Sequence, residues 1–220
     1  MRIDVAFTPV ETAPAPFGVV VDVLRATSTI AQALASGYRR VLCCAEIEGA
    51  LALRAQIPDS LVGGERKAVQ VEGFDVGASP REFLEPRADT LILSTTNGTR
   101  AILETAQRCE EVVLGSMLNL EAIARASADR DAVVVCAGFQ GAFALDDAYC
   151  AGRIVQLLDG ERTDAAKAAR RTPLVTRWTP CAFPEWSGQR IPTGAIVMHS
   201  VQMGRPHSEQ DRPVTRSGCR

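Results

Sequence analysis

The stretch VVVDVLRATST, residues 19–29, decides how this chain folds. The apolar run 17–21 has the pattern of a strand buried on both faces, and it stops at a carboxylate, Asp22, where sheet gives way to loop. Arg25 follows, and Thr27, Ser28 and Thr29 stand where a helix begins, so hydroxyls and backbone N–H groups gather beside a carboxylate and a guanidinium. The helix itself is amphipathic, with Ile30 and Leu34 on its apolar side. Ligands of open α/β sheets bind at the carboxyl ends of strands, which is where Asp22 and Arg25 fall. An anion site is one reading of them; an aspartate that only caps the helix or forms the turn is the other.

Outward from this stretch the periods keep alternating. Residues 2–7 read as a strand, and Pro9, Pro14 and Pro16 mark the loop that leads from it into the central strand. The first helix stops near Ser36, with Gly37 just past its end. Residues 39–45 read as a strand and 46–56 as a helix with Ile47, Ala50, Leu51 and Leu53 facing inward. A short strand at 60–62 enters a polar segment, 63–80, expected to be a long functional loop that carries Glu65, Arg66 and Asp75 and ends in a short helix opened by Ser79 and Pro80. The strand 90–94 runs into TTNGTR, residues 95–100, ahead of a helix over 101–106. There hydroxyls, a glycine and Arg100 repeat the chemistry of the first site, although Asn97-Gly98 taken alone also signals a hairpin. Strands follow at 111–115 and 131–136, with a helix from Leu120 to about residue 128 between them, and Asp146 and Asp147 enter the first turn of a helix reaching Leu158. Acidic residues in a first turn suit the helix dipole by themselves; a metal ligand is the alternative. Strands and helices in this order imply an α/β fold with a largely parallel or mixed sheet and helices on both faces.

Composition narrows the partners. The 220 residues carry a net charge of −2 with no basic stripe, which gives no electrostatic case for nucleic acid. No apolar run approaches the roughly 18 residues that span a bilayer, and MRIDVAF lacks a signal pattern, so a cytoplasmic protein without membrane partners is expected. The seven cysteines form no CxxC pair and several lie in apolar runs, the pattern of buried thiols. There is no GxxxxGK[ST] or GxGxxG segment, and no histidine precedes His199, which leaves a P-loop, a zinc site of histidines and a Ser-His-Asp arrangement without support in the first 170 residues. What remains is oxygen chemistry: Asp22, Glu65, Asp75 and Asp147 as ligands that suit Mg2+, and Arg25, Arg66 and Arg100 as anion clamps. Water on the metal or a carboxylate such as Asp22 would serve as nucleophile.

The segments DVLRATST (22–29), GGER (63–66), EGFD (72–75), GASP (77–80), TTNGTRAI (95–102), GSMLN (115–119), CAG (136–138) and LDDAYCAG (145–152) together resemble the 2-phosphosulfolactate phosphatase family of coenzyme M biosynthesis. The resemblance covers about residues 1–170 and implies a family-specific α/β fold. It implies a Mg2+-dependent hydrolase of a small anionic phosphorylated hydroxy acid, 2-phospho-3-sulfolactate. It places Asp22, Glu65 and Asp147 around the metal and Asp22, Arg25, Glu65 and Arg100 in the catalysis. Thr27, Ser28, Arg66, Thr96, Asn97, Gly98 and Thr99 would bind the substrate, and self-association is left open. Three positions depart from the family pattern: Lys67 and Ala78, where glycine and asparagine are usual, and Asp146, where glutamate is usual. The tail, residues 171–220, departs further. It holds six of the twelve prolines, both tryptophans and both histidines, and its seven Arg against three acids make it +4 against −6 for residues 1–170. It is expected to be atypical, disordered or the product of a reading-frame shift. Against the phosphatase stand two alternatives, an inactive remnant that binds phospho-acids and a nucleotide-binding module.

Overall fold

The computed structural model describes residues 1–127 and 129–172 in full, and residues 196–199 as backbone. The order is β1 (Arg2–Ala6), β2 (Ala15–Val21), α1 (Ala26–Ser36), β3 (Arg40–Cys43), α2 (Ile47–Gln56), β4 (Ser60–Arg66), β5 (Val69–Gln70), β6 (Thr90–Ser94), α3 (Gly98–Ala106), β7 (Cys109–Gly115), α4 (Leu120–Ala126), β8 (Ala132–Cys136), α5 (Leu145–Leu157), β9 (Glu161–Arg162), α6 (Asp164–Arg171) and β10 (Ile196–His199).

The α/β class expected from the sequence holds, but among the described residues the strands form two sheets instead of one. The larger runs β10-β7-β2-β8-β1-β9, parallel except for antiparallel β10, and the smaller runs β3-β6-β4-β5. The reason is visible in the cores. Helices α1 and α3 are sandwiched between the sheets: Ile30, Ala31, Ala101 and Ile102 pack with Val20, Leu114 and Val133 of one sheet and Val41, Leu91 and Leu93 of the other. A second core joins the far face of the larger sheet to α4, α5 and α6 through Val19, Val134, Ile123, Ile154 and Ala166. A third joins the far face of the smaller sheet to α2 through Ile92, Val62 and Ala50. Five layers result, and the apolar strands are sealed on both faces. Each fully buried Ile or Leu of the middle layer contributes about 1.5–3 kcal/mol.

Register brings the strand ends together. Val21 is level with both Gly115 and Cys136 in the larger sheet, and Gly64 with Ser94 in the smaller. Asp22 therefore follows the last paired residue of β2, and Glu65 and Thr95 follow the last residues that β4 and β6 pair with each other.

Several expectations need correction. The segment 63–80 is not one long loop: β4 continues through Arg66, turns over two residues into β5, and Gly63 pairs again with Val76. The Asn97-Gly98 step is no hairpin but the start of α3, which begins at Gly98 and not at Ala101. On α2 only Ala50 is fully buried, and Leu51 is 38% exposed, because a single thin sheet covers that helix. In the tail, β10 lies at the edge of the larger sheet beside β7, and the expectation of an atypical, disordered or frame-shifted segment over 171–220 otherwise lies outside the described residues. Gly37 adopts φ 119 at the end of α1, as expected of a residue that stops a helix in the left-handed region. Cys43, Cys44, Cys109, Cys136 and Cys150 are free thiols.

Candidate functional site

A pocket of about 80 Å3 opens where the carboxyl ends of the two sheets meet. Asp22, Leu24, Arg25 and Ala26 come from the β2–α1 junction, Thr95, Thr96 and Asn97 from the β6–α3 junction, and Glu65, Lys67 and Ala68 from the β4–β5 turn. Phe139 and Gln140, after β8, close one side.

Asp22 is 7% exposed, and the capping reading of it holds. Its Oδ1 accepts the N–H of Ala26, the first residue of α1, at 3.2 Å, which is a helix cap. Its Oδ2 lies against α3: a Cβ placed on Gly98 would come within 2.4 Å of that oxygen and 2.3 Å of the Ala26 methyl. Only glycine permits this approach, and it brings the two helix N-termini together beside the carboxylate. Burial raises the Asp22 pKa, the Ala26 N–H opposes the rise, and the charges of Asp146 and Glu65 add to it.

Asp147 is buried behind Asp22. Its Oδ1 accepts the Val23 N–H at 2.9 Å and its Oδ2 the Gly138 N–H at 3.0 Å, so it ties the ends of β2 and β8 to α5. Burial again pushes its pKa up, followed by the charge of Asp22. Glu65 likewise serves several donors, the N–H of Thr96 at 2.7 Å and of Ala68 at 2.6 Å and the Thr96 hydroxyl at 3.2 Å. Among the described residues no three Asp, Glu, His or Cys side chains converge as a metal cage. The set anticipated from sequence, Asp22, Glu65 and Asp147, is thus not preassembled as three ligands. A Mg2+ ion nevertheless fits the chemistry of the wall. Its usual complement is one or two carboxylates, water and substrate oxygens, and a cation would favour the ionised forms of Asp22 and Asp147 that burial, and after it the neighbouring acids, disfavour. Asp22, which lines the pocket, is the carboxylate best placed to hold it.

The arginines separate. Arg25 caps α1, lines the pocket and donates to the Ala68 carbonyl at 3.3 Å; among the described residues no acid pairs with it. Arg66, anticipated as a substrate clamp, instead donates to the carbonyls of Glu65 and Ala45 and to the Ser94 hydroxyl, all within 2.9 Å, and does not line the pocket. Its role is to tie β4 to neighbouring loops. Arg100, anticipated as catalytic, is the third residue of α3 and pairs with Glu46 at 3.3 Å outside the pocket.

The hydroxyls are structural too. Thr27 Oγ1 accepts the Asp22 N–H and donates to the Asp22 carbonyl, Ser28 donates to the Val23 carbonyl, and Thr99 Oγ1 closes the same kind of ring on Thr95. Of the anticipated substrate-binding residues, Thr96 and Asn97 line the pocket, Gly98 fixes its floor, and Thr27, Ser28 and Thr99 brace it from behind. Asp75 is remote, held by Arg54 at 2.7 Å and the Val62 N–H. Lys67 and Gln140 were missed as pocket residues. Both have left-handed backbones, φ 53 in each case, which a sequence does not reveal for residues other than glycine or asparagine. The thiols take no part: burial pushes Cys136 and Cys150 up, and the Asp147 charge adds to it.

Comparison with known proteins agrees with these strand-end motifs. A protein named "Probable 2-phosphosulfolactate phosphatase" from Caldanaerobacter subterraneus subsp. tengcongensis is 42% identical over 161 residues, 69% of this chain and 66% of its own length. One of the same name from Clostridium acetobutylicum is 42% identical over 162 residues, 69% and 68% of the two chains. The matches thus span about two thirds of those relatives. A third, from Gloeobacter violaceus, is 42% identical over 200 residues, 87% of this chain and 80% of its own length, so the likeness extends past α6, further than the motifs reach. The family model described as 2-phosphosulpholactate phosphatase matches residues 6–176, which include every pocket residue, and on that match the chain belongs to the 2-phosphosulpholactate phosphatase family.

Proposed function

We propose that this chain hydrolyses the phosphate monoester of a small 2-hydroxy acid, 2-phospho-3-sulfolactate, with Mg2+ as cofactor. The observation that carries the reading is the meeting of Asp22 and Arg25 in one pocket of a chain that belongs to this family: a buried carboxylate beside a guanidinium that no acid among the described residues pairs with. Phosphoryl transfer requires positioning and neutralisation of the phosphate oxygens, and a guanidinium does both through charge-assisted hydrogen bonds.

In this reading Arg25 grips the phosphate and Asp22 holds the metal, which when bound would neutralise charge and polarise the phosphate. Glu65 fixes the Thr96 amide and the 65–68 turn, so the wall facing Arg25 keeps its shape. Asp147 and the Thr27 hydroxyl hold the loop that bears Asp22 and Arg25. Leu24 and Phe139 give the mouth apolar sides. The test is phosphate release from racemic 2-phosphosulfolactate by the purified chain with Mg2+ and with EDTA. Release that needs the metal is expected; no release under either condition overturns the assignment, and equal release in EDTA overturns the cofactor.

A further inference from the structure

Asn97 stands one residue before α3, the position from which an asparagine side chain ordinarily accepts an N–H of its own helix, yet it makes no such bond. That work is taken by Thr95, whose Oγ1 accepts the Thr99 N–H at 3.1 Å. The freed side chain reaches instead to the larger sheet, where Asn97 Oδ1 accepts the backbone N–H of Gln140, 43 residues away, at 3.1 Å. Gln140 belongs to a two-residue turn after β8. Phe139 and Ala142 exchange backbone bonds of 2.9 and 3.0 Å, and the corners Gln140 and Gly141 have φ 53 and 80. The base of the turn is anchored by the Gly138 N–H on Asp147 and by the Phe143 ring against Phe7. Its tip stands clear: Phe139 is 62% exposed, and a Cβ placed on Gly141 would meet nothing within 4 Å. Among the described residues, the bond to Asn97 is the one hydrogen bond that residues 139–142 make outside their own turn. Phe139 and Gln140 nevertheless line the pocket.

We propose that Asn97 is a positioning residue: by holding the Gln140 N–H it fixes the 139–142 turn as one side of the pocket, and it acts on substrate binding through that turn and not by touching the substrate. One hydrogen bond between the two halves of the molecule then completes the pocket. The inference rests on the phosphatase reading above and deepens it.

Asn97→Leu keeps the size of the side chain and removes the acceptor, whereas Asn97→Asp keeps an acceptor in place. In N97L the Gln140 amide exchanges with deuterium about fivefold faster by NMR, the scale of one neutral hydrogen bond, and in N97D it stays within about twofold of the native chain. The KM for 2-phosphosulfolactate rises about fivefold in N97L with kcat changed less than about twofold. Gln140→Pro breaks the same link from the other side, because proline has no N–H and cannot hold φ 53. Q140P raises KM at least as much, and N97L added to it changes KM less than about twofold further, since the turn has already left its place. Unchanged Gln140 exchange in N97L overturns the role. So does an unchanged KM in Q140P, whether or not N97L folds, and so do KM rises that add in full, which would put Asn97 on the substrate itself. If the native chain releases no phosphate, the phosphatase reading has failed and the link is judged on the amide alone: faster exchange in N97L upholds it and unchanged exchange removes it.

Discussion

The two strand-to-helix junctions of the pocket are built by the same device and do different work. In each, a threonine near the start of the helix returns its hydroxyl to the backbone where the strand ends, Thr27 to Asp22 and Thr99 to Thr95, in both directions. In each, an arginine stands close by. Arg25 sits one residue before α1, outside the helix, and its guanidinium is thrown over the pocket. Arg100 sits two residues inside α3, and the helix turns it outward to Glu46. A shift of a few positions relative to the helix start decides between an anion clamp and a surface ion pair. The hydroxyl locks make the scaffold, and the placement of charge makes the site.

The largest expected effect falls on the carboxylate that only the first junction has. Asp22→Asn should lower phosphate release by at least about 10^3-fold with a soluble fold retained, since a preorganised charge at the reacting centre is lost; full retained turnover would sink its assigned role. The same carboxylate sets a pH dependence. Its folded pKa is raised from 3.8 to about 7, so the folded chain holds a proton that the unfolded chain gives up. Stability is full below the ordinary carboxyl value and is lost as pH rises toward neutrality. In EDTA, urea unfolding should occur earlier at about pH 8 than at about pH 5, and Asp22→Asn should reduce that difference, the remainder being due to Asp147, whose pKa burial also raises. Next comes the pair that tests the comparison directly. Arg25→Ala should cost about 10^2-fold in kcat/KM, whereas Arg100→Ala, which removes an exposed ion pair, should cost less than about twofold; equal losses would show that the junctions share the work. Gly98→Ala, which drives a methyl into Asp22 and Ala26, should lower stability by about 1–3 kcal/mol in urea melts. Smallest are the two locks. Thr27→Val and Thr99→Val each leave a buried backbone N–H, of Asp22 and of Thr95, without its partner and should cost about 1–2 kcal/mol, alike in size, and a clear inequality would mean that the shared device is not equivalent in the two sheets.

Legibility in the sequence followed the range of the interactions involved. The apolar runs 17–21, 90–94 and 131–136 announced their strands, and Gly37 its helix end, because burial on both faces and a left-handed stop leave local signatures. Asp22, Arg25 and Glu65 were singled out from their places at strand ends, and Thr96 and Asn97 from the family resemblance; all five line the pocket. Arg66 and Arg100 were misplaced because a guanidinium next to a strand end reads the same whether it meets a ligand, a carbonyl or a glutamate 54 positions away. Lys67 was passed over for a related reason, since its backbone conformation is imposed by the β4–β5 pairing and not by its own preference.

By itself the sequence determined the α/β class, the strand-end location of the site and the family, since each is written in local period and in contiguous motifs. Only the tertiary structure decided that there are two sheets with α1 and α3 between them, which acids are spent on backbone N–H groups, and which cations are left over. Those outcomes depend on which groups distant in the chain become neighbours, and a buried donor or acceptor is satisfied by whatever partner packing delivers.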